Sequence, residues 1–306
     1  MEENIRKSKK IYSLTKIVMF FLVLVLLVVM ATKVVERKNS AQEYSDFMKL
    51  SNQIDVLFLG SSHVLDGVNP LQLFAEYGIT SYNMGKHGGM LTESYWTLMN
   101  ALDYCEPKCV VVDLWSLDRD YRYLDTKDGT SSVEDNRNSI AYLHNNLDFW
   151  PMSKTKIAAI NDLIGEYEIR KEFYWDFITY HDRWSSLNSI DFEAVVGKDI
   201  ADGNLGANPI YKVEPRMNIS QEENTGELIP EDTISIQYLY KIIEECKERD
   251  IELIFTFLPM AYSFSQDWMA VDAAEKIANE NNILFLNMLP HDSQRVVNHQ
   301  TYLSYN

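Results

Sequence analysis

The chain has 306 residues, 46% hydrophobic and 24% charged, with 12 Gly and 8 Pro, which describes a globular protein and excludes a disordered or collagen-like one. A formal charge of −17 excludes nucleic acid as a partner, because phosphate binding needs a clustered basic surface. The charge is unevenly spread: eight of the 28 Lys/Arg but only three of the 45 Asp/Glu lie in residues 1–38, leaving 20 bases against 42 acids for the rest.

The basic segment 1–16 leads into Ile17 to Thr32, a run without charge, Gly or Pro, bracketed by Lys16 and Lys33. Sixteen helical residues rise roughly 24 Å. Snorkelling lysines and the continuing Val34 and Val35 extend that toward a hydrocarbon core of about 30 Å. Residues 17–35 are therefore expected to be a transmembrane signal anchor. Five cations precede the run (Arg6, Lys7, Lys9, Lys10, Lys16) and three follow it, which places the N-terminus in the cytoplasm and the body outside. A cleaved signal peptide, with Val29 and Ala31 as its small-residue pattern, is the rival reading. The expected localisation is the cell membrane, single-pass, with an extracytoplasmic body.

Residues 36–52 read as a stalk or helix, and 53–306 as the body. There, apolar runs alternate with helical patterns: Asp55 to Gly60, Ile79 to Asn83, a helix over Leu91 to Cys105, then Cys109 to Trp115. The rhythm resumes with a helix over Thr233 to Arg249, then Ile251 to Leu258, a helix from Asp267 to Glu280, and Ile283 to Leu289. Such alternation predicts an α/β fold, a parallel sheet covered on both faces. Residues 120–231 interrupt it and are expected to be an insertion or lid packed on the sheet, with one helix near Lys154 to Tyr180 and a Gly/Asn-rich loop (DGNLGANP). Three buried thiols is the reading for Cys105, Cys109 and Cys246. There is no dinucleotide fingerprint, P-loop or clustered His/Cys set, so no cofactor and no metal is expected.

In a parallel sheet the chemistry lies beyond the carboxyl ends of the strands. After the first strand comes Gly60-Ser61-Ser62-His63. A serine opening a helix gains its positive dipole end and nearby N–H groups, suiting a nucleophile and its oxyanion; the plain alternative is a helix cap. After the second strand comes Asn83-Met84-Gly85-Lys86-His87-Gly88-Gly89, whose glycines let backbone N–H groups approach a ligand oxygen.

These blocks resemble the SGNH/GDSL hydrolase family, and within it the membrane-anchored envelope proteins of teichoic-acid D-alanylation and polysaccharide O-acetylation. YHDRW (Tyr180 to Trp184) and FTFLP (Phe255 to Pro259) also look like this subgroup. The resemblance implies a flavodoxin-like three-layer α/β/α domain with Ser62 as nucleophile and the N–H groups of Ser62 and Gly88 as oxyanion hole. It further implies an envelope glycan or wall polymer as substrate, in esterase or acyltransferase chemistry, and a membrane acyl-transfer partner. Two features depart from the family. Leu117 stands where the third block has Asn, and no Asp-x-x-His occurs in the sequence. His291, followed by Asp292, is the first substitute base; His299 is another. His63, His87, His181 and Arg183 are pocket candidates, His181 and Arg183 alternatively anchoring the insertion, while His144 reads as structural. The stripe Phe173, Tyr174, Trp175 and Phe177 reads as core rather than sugar platform. The missing block predicts a C-terminally incomplete or degenerate site, low ester turnover, and a marginally stable body with an exposed face on the last strand. A non-catalytic membrane-anchored binding or assembly protein is the alternative.

Overall fold

The computed structural model describes residues 2–36, 39–122, 137–196, 203–210, 220–222, 224–260 and 262–289. Five strands form one parallel sheet: β1 Val56–Leu59, β2 Ser81–Asn83, β3 Cys109–Asp113, β4 Glu252–Phe257 and β5 Leu284–Asn287. Their order across the sheet is β2-β1-β3-β4-β5, with Leu57 opposite both Tyr82 and Val110, Val110 opposite Leu253, and Ile254 opposite Leu284. A two-stranded pair, Ser220–Gln221 with Tyr262–Ser263, stands apart. Each of the five apolar runs contains one of these strands and is two or three residues longer than it; β3 starts with its run and β2 ends with its run.

The crossovers are α3 Ser62–Gly67 and α4 Pro70–Tyr77 between β1 and β2, α5 Leu91–Leu102 before β3, α11 Ile234–Glu248 before β4 and α12 Ser265–Asn281 before β5. From β2 to β5 every step runs in the same direction, so right-handed crossovers put α5, α11 and α12 on one face and α3 and α4 on the other. Leu57, Leu59, Val110, Val112, Phe255 and Phe257, pointing to the three-helix face, are fully buried.

The opposite face is less covered than a double-faced parallel sheet requires. Phe58 and Ile254 are half-buried, and Leu284 and Leu286 are 54% and 40% exposed among the described residues. At about 25 cal/mol per Å², covering two leucines is worth a few kcal/mol. Purified protein should therefore bind a hydrophobic dye at this face in addition to its exposed apolar N-terminal helix, and Leu284→Thr with Leu286→Thr should lower the signal measurably; equal dye binding by the variant would show that this face is closed.

Helix α1 spans Glu2–Val35, and Ile11–Val35 within it is long and apolar enough to cross a membrane. Residues 39–50 form α2, whose Tyr44 and Phe47 enter the core; Phe47 meets Tyr82 of β2 edge-on with ring centroids 5.4 Å apart. The segment read as a stalk is thus packed on the body.

The insertion differs from its expectation in two ways. The single helix expected from Lys154 to Tyr180 is three: α7 Lys154–Leu163, α8 Tyr167–Tyr174 and α9 Asp176–Tyr180. Arg170 reaches back from α8 to the carbonyls of Ile164 (2.5 Å) and Gly165 (3.1 Å), satisfying groups that continuous helix would have used internally. The insertion's described helices also dock on other helices, and it meets the sheet through its Gly/Asn-rich loop, where Asn83 N–H of β2 donates to the Leu205 carbonyl. α7 packs against α5, and Asp162 accepts from Trp96 Nε1 at 2.6 Å and from the Tyr238 hydroxyl of α11. Phe173 is core, stacked on His144 at 3.9 Å, and Tyr174 is partly buried, while Trp175 stacks on Phe177 and is 46% exposed. His144 is buried in α6 Arg137–Leu147, with Nδ1 bonded to Asp148 at 2.9 Å, the structural role expected of it. Cys105 and Cys246 are free and buried, and Cys109 is free and half-buried, so the third thiol is less enclosed than expected.

Candidate functional site

The strand order reverses direction between β1 and β3, and the crevice outside their carboxyl ends is where a doubly wound sheet binds ligands. Gly60, which ends β1, has φ +151°, and a Cβ there would lie 2.7 Å from Val64 Cγ2 and 2.8 Å from Asp113 Cβ. Only a glycine lets α3 start this close to the end of β3. Ser61 takes the cap position: it is buried, and its Oγ accepts from the His63 N–H at 3.3 Å. Ser62 is thereby left as the first helical residue, half-buried, with no hydrogen bond from its hydroxyl to any described residue.

The glycine turn after β2 leans directly on this one. Lys86 N–H donates to the Gly60 carbonyl at 3.0 Å, and a Cβ on Gly89 would come within 2.7 Å of the same oxygen. Gly88 holds φ +65°. The Ser62 and Gly88 turns are therefore neighbours on one carboxyl edge, joined through backbone.

Asn83, at the end of β2, is the hub of the arrangement. Its buried Nδ2 donates to the carbonyls of Val64 (2.7 Å) and Val68 (2.8 Å), with a longer contact to Leu65 (3.3 Å); its Oδ1 accepts from Gly85 N–H at 2.9 Å. The Gly/Asn-rich loop of the insertion closes on the same place. Asn83 N–H donates to Leu205, Asn208 N–H donates to Leu65, and the Asn208 amide reaches Asp66 at 2.9 Å.

Across the crevice, β3 ends in a buried carboxylate. Asp113 Oδ1 accepts from Leu258 N–H at 3.1 Å, and Oδ2 has no partner of hydrogen-bonding geometry among the described residues although the Ser61 hydroxyl is beside the group. Burial raises its pKa to about 7, opposed by the Leu258 and Trp115 N–H groups and Ser61. The His63 ring meets Trp115 edge-on at 5.4 Å, spanning the reversal point, and its buried Nδ1 has no partner among the described residues. Burial lowers the pKa of His63, opposed by Asp66. The Arg119 guanidinium lies 5.3 Å from the Trp115 ring and 3.3 Å from Asp118, whose pKa burial raises to about 6 against that cation. Glu93, in the first turn of α5, bonds Met90 N–H at 2.7 Å, and burial raises its pKa to about 7.

The candidates of the sequence divide accordingly. Ser62, His63 and the Gly88 turn meet at the crevice, and His87 is exposed at the turn's tip. His181 and Arg183 lie elsewhere: His181 Nδ1 is 2.9 Å from the Ile178 carbonyl, and Arg183 caps α1, donating to the carbonyls of Val35 and Glu36 (2.6 Å to the latter). Arg183 takes the anchoring role, because the carbonyls ending a helix attract a cation, while exposed His181 bonds only within its own segment. His291 and His299 lie outside the described residues. Among the described residues no histidine contacts the Ser62 hydroxyl, Leu117 is buried core rather than a donor, and no cluster of three His, Cys, Asp or Glu is arranged to hold a metal. Sequence reasoning read Asn83 only as the head of the glycine block and Asp113 only as part of a strand, and so missed the hub and the buried carboxylate. The signal for both was a polar residue closing an apolar strand, SYN and CVVVD.

What fold and site define is an α/β protein with an all-parallel sheet, a polar crevice at its reversal point, and an N-terminal helix capable of spanning a membrane. No family model, curated protein or solved structure matches the chain.

Proposed function

We propose that the chain is a membrane-anchored, SGNH-like serine esterase or acyltransferase with a flavodoxin-like body outside the cell, acting on acyl esters of envelope glycans or wall polymers. The supporting observation is Ser62: it opens α3 at the reversal point, its hydroxyl bonds no described residue, and the neighbouring turn carries Gly88. In this reading Ser62 Oγ attacks the ester carbonyl, its proton passes to a base, and the N–H groups of Ser62 and Gly88 hold the oxyanion. Collapse expels the alcohol, which takes the proton back, and water or an acceptor hydroxyl then releases the acyl group. His291 is the first candidate for the base.

The second reading, a non-catalytic binding or assembly protein, draws on the absence of a histidine at Ser62 among the described residues. General-base help is worth about 100- to 10,000-fold, so the two readings differ by that factor in turnover. The test uses intact protoplasts and a membrane-impermeant fluorophosphonate probe, followed by acetyl-ester turnover by the purified chain. Labelling and turnover that Ser62→Ala abolishes, and that His291→Ala lowers about 100- to 10,000-fold, are the expected results. Labelling only after lysis would reverse the orientation, and turnover that survives Ser62→Ala would sink the assignment.

A further inference from the structure

Helix α1 does not leave the body at its last residue. It is exposed from Ile11 to Leu27, half-buried at Val28, Thr32 and Val34, and buried at Val35. Val28, Thr32 and Val35 fall on one face, by the three- and four-residue spacing of a helix. The elements packed against α1 are α9, the 3₁₀ helix His181–Ser186 and α10 Ser189–Val195. Arg183 fixes the junction: besides the two carbonyls ending α1, it pairs at 3.3 Å with Asp191, which is buried at 1% exposure.

Depth follows from length. The apolar stretch Ile11–Val35 would rise roughly 37 Å as helix, about one turn more than a hydrocarbon core of roughly 30 Å. Val28 lies inside that core wherever the surplus is placed at the C-terminal end, and it also lies inside the charge-free run Ile17 to Thr32. A protein element covering Val28 and Thr32 consequently sits at the membrane boundary.

The outer surface of those elements carries large apolar side chains among exposed polar ones, His181, Asp182, Ser185, Ser186, Asn188 and Ser189. Trp184 is 73% exposed, Val196 80%, Phe192 53%, Trp175 46%, Ile178 44% and Ile190 42%. Singly exposed apolar residues are ordinary. Here six fall within 22 positions of sequence, on consecutive short elements held to the end of one apolar helix, two of them tryptophans, the residue enriched where hydrocarbon meets headgroups. Asp182, exposed among them, fits the wet headgroup level of such a surface.

We infer that α9, the 3₁₀ helix and α10 form a platform that seats the body on the lipid bilayer beside α1, with Trp184 and Phe192 in the interface. The continuity of the apolar surface with α1 selects lipid as the occupant. This inference rests on α1 crossing the bilayer and goes beyond it: a span alone would leave the body tethered rather than seated.

The test reconstitutes the full chain into phosphatidylcholine nanodiscs whose acyl chains are brominated near the headgroup and reads tryptophan fluorescence against unbrominated discs. Quenching is expected, most of it lost in Trp175→Phe with Trp184→Phe; both are exposed, so the conservative double variant keeps the fold. Quenching that is absent, or unchanged in the variant, would overturn the platform, and a second copy or an integral partner covering these residues would give that result. The anchor is scored separately: a chain that alkaline carbonate extracts from membranes has no spanning α1, and both readings then fail.

Discussion

Raising the pH from about 5 to about 8 is expected to lower the melting temperature of the purified chain, and Asp113→Asn with Glu93→Gln to cancel most of that loss. Both carboxyls are buried, and burial raises their pKa to about 7 from ordinary values of 3.8 and 4.5. A carboxyl with a raised folded-state pKa binds its proton more tightly in the fold than in the unfolded chain. Its contribution is therefore fully present below about pH 4 and is lost as the pH climbs through about 7. Each tenfold change in proton affinity is worth about 1.4 kcal/mol, so across the roughly two units between pH 5 and about 7 each group loses on the order of 2–3 kcal/mol. Asp118, raised to about 6, adds in the same direction. His63, lowered by burial, acts oppositely on the acid side of its ordinary value near 6.5. Asparagine and glutamine keep the acceptors that Leu258 and Met90 use (3.1 and 2.7 Å) without a charge to bury. Circular-dichroism melts across this range check it; a wild-type curve rising from pH 5 to 8 would mean that these carboxylates find partners when ionised.

Asn83→Leu should cost about 3–5 kcal/mol, at the upper end for a single substitution. The amide donates to three carbonyls of the α3 segment and accepts from Gly85, and leucine leaves those groups buried without it. An unsatisfied buried group costs about 1–3 kcal/mol, and the Leu65 carbonyl retains the Asn208 donor, which limits the total. Asn83→Asp discriminates further. It keeps the shape and the acceptor for Gly85 but turns the donor into an oxygen facing three carbonyls. It should be at least as damaging as leucine at neutral pH and recover partly when the acid is protonated. Urea midpoints at two pH values measure this, and an aspartate variant as stable as wild type would show that the donor is dispensable. Since Asn83 ties the end of β2 to α3, the loss should also loosen the Ser62 turn.

The parallel sheet was legible because its evidence is local. Runs such as DVLFLG, CVVVDLW and IELIFTFL, spaced by amphipathic segments, have few alternatives to buried parallel strands. The apolar run from Ile17 was legible for the same reason, since length and the lack of charge settle that it can span. The two turns, Gly60 to His63 and Asn83 to Gly89, were legible as neighbours on one edge, because both follow parallel strands at their carboxyl ends.

Tertiary structure decided which of two adjacent serines caps α3, since that depends on Gly60 passing beside Asp113. It also placed Arg183 at the end of α1, across 148 positions of sequence, where no local pattern signals the contact. The insertion's single helical pattern became three helices because Arg170 and the groove beside α5 offered better partners than the helix itself. Thus the sequence by itself determined the strands, the parallel sheet and the edge that carries both glycine turns, through periodicity and apolar content. Only the tertiary structure decided which side chains share that edge and which serve to hold α1, because burial and hydrogen bonding act between residues that the chain brings together from far apart.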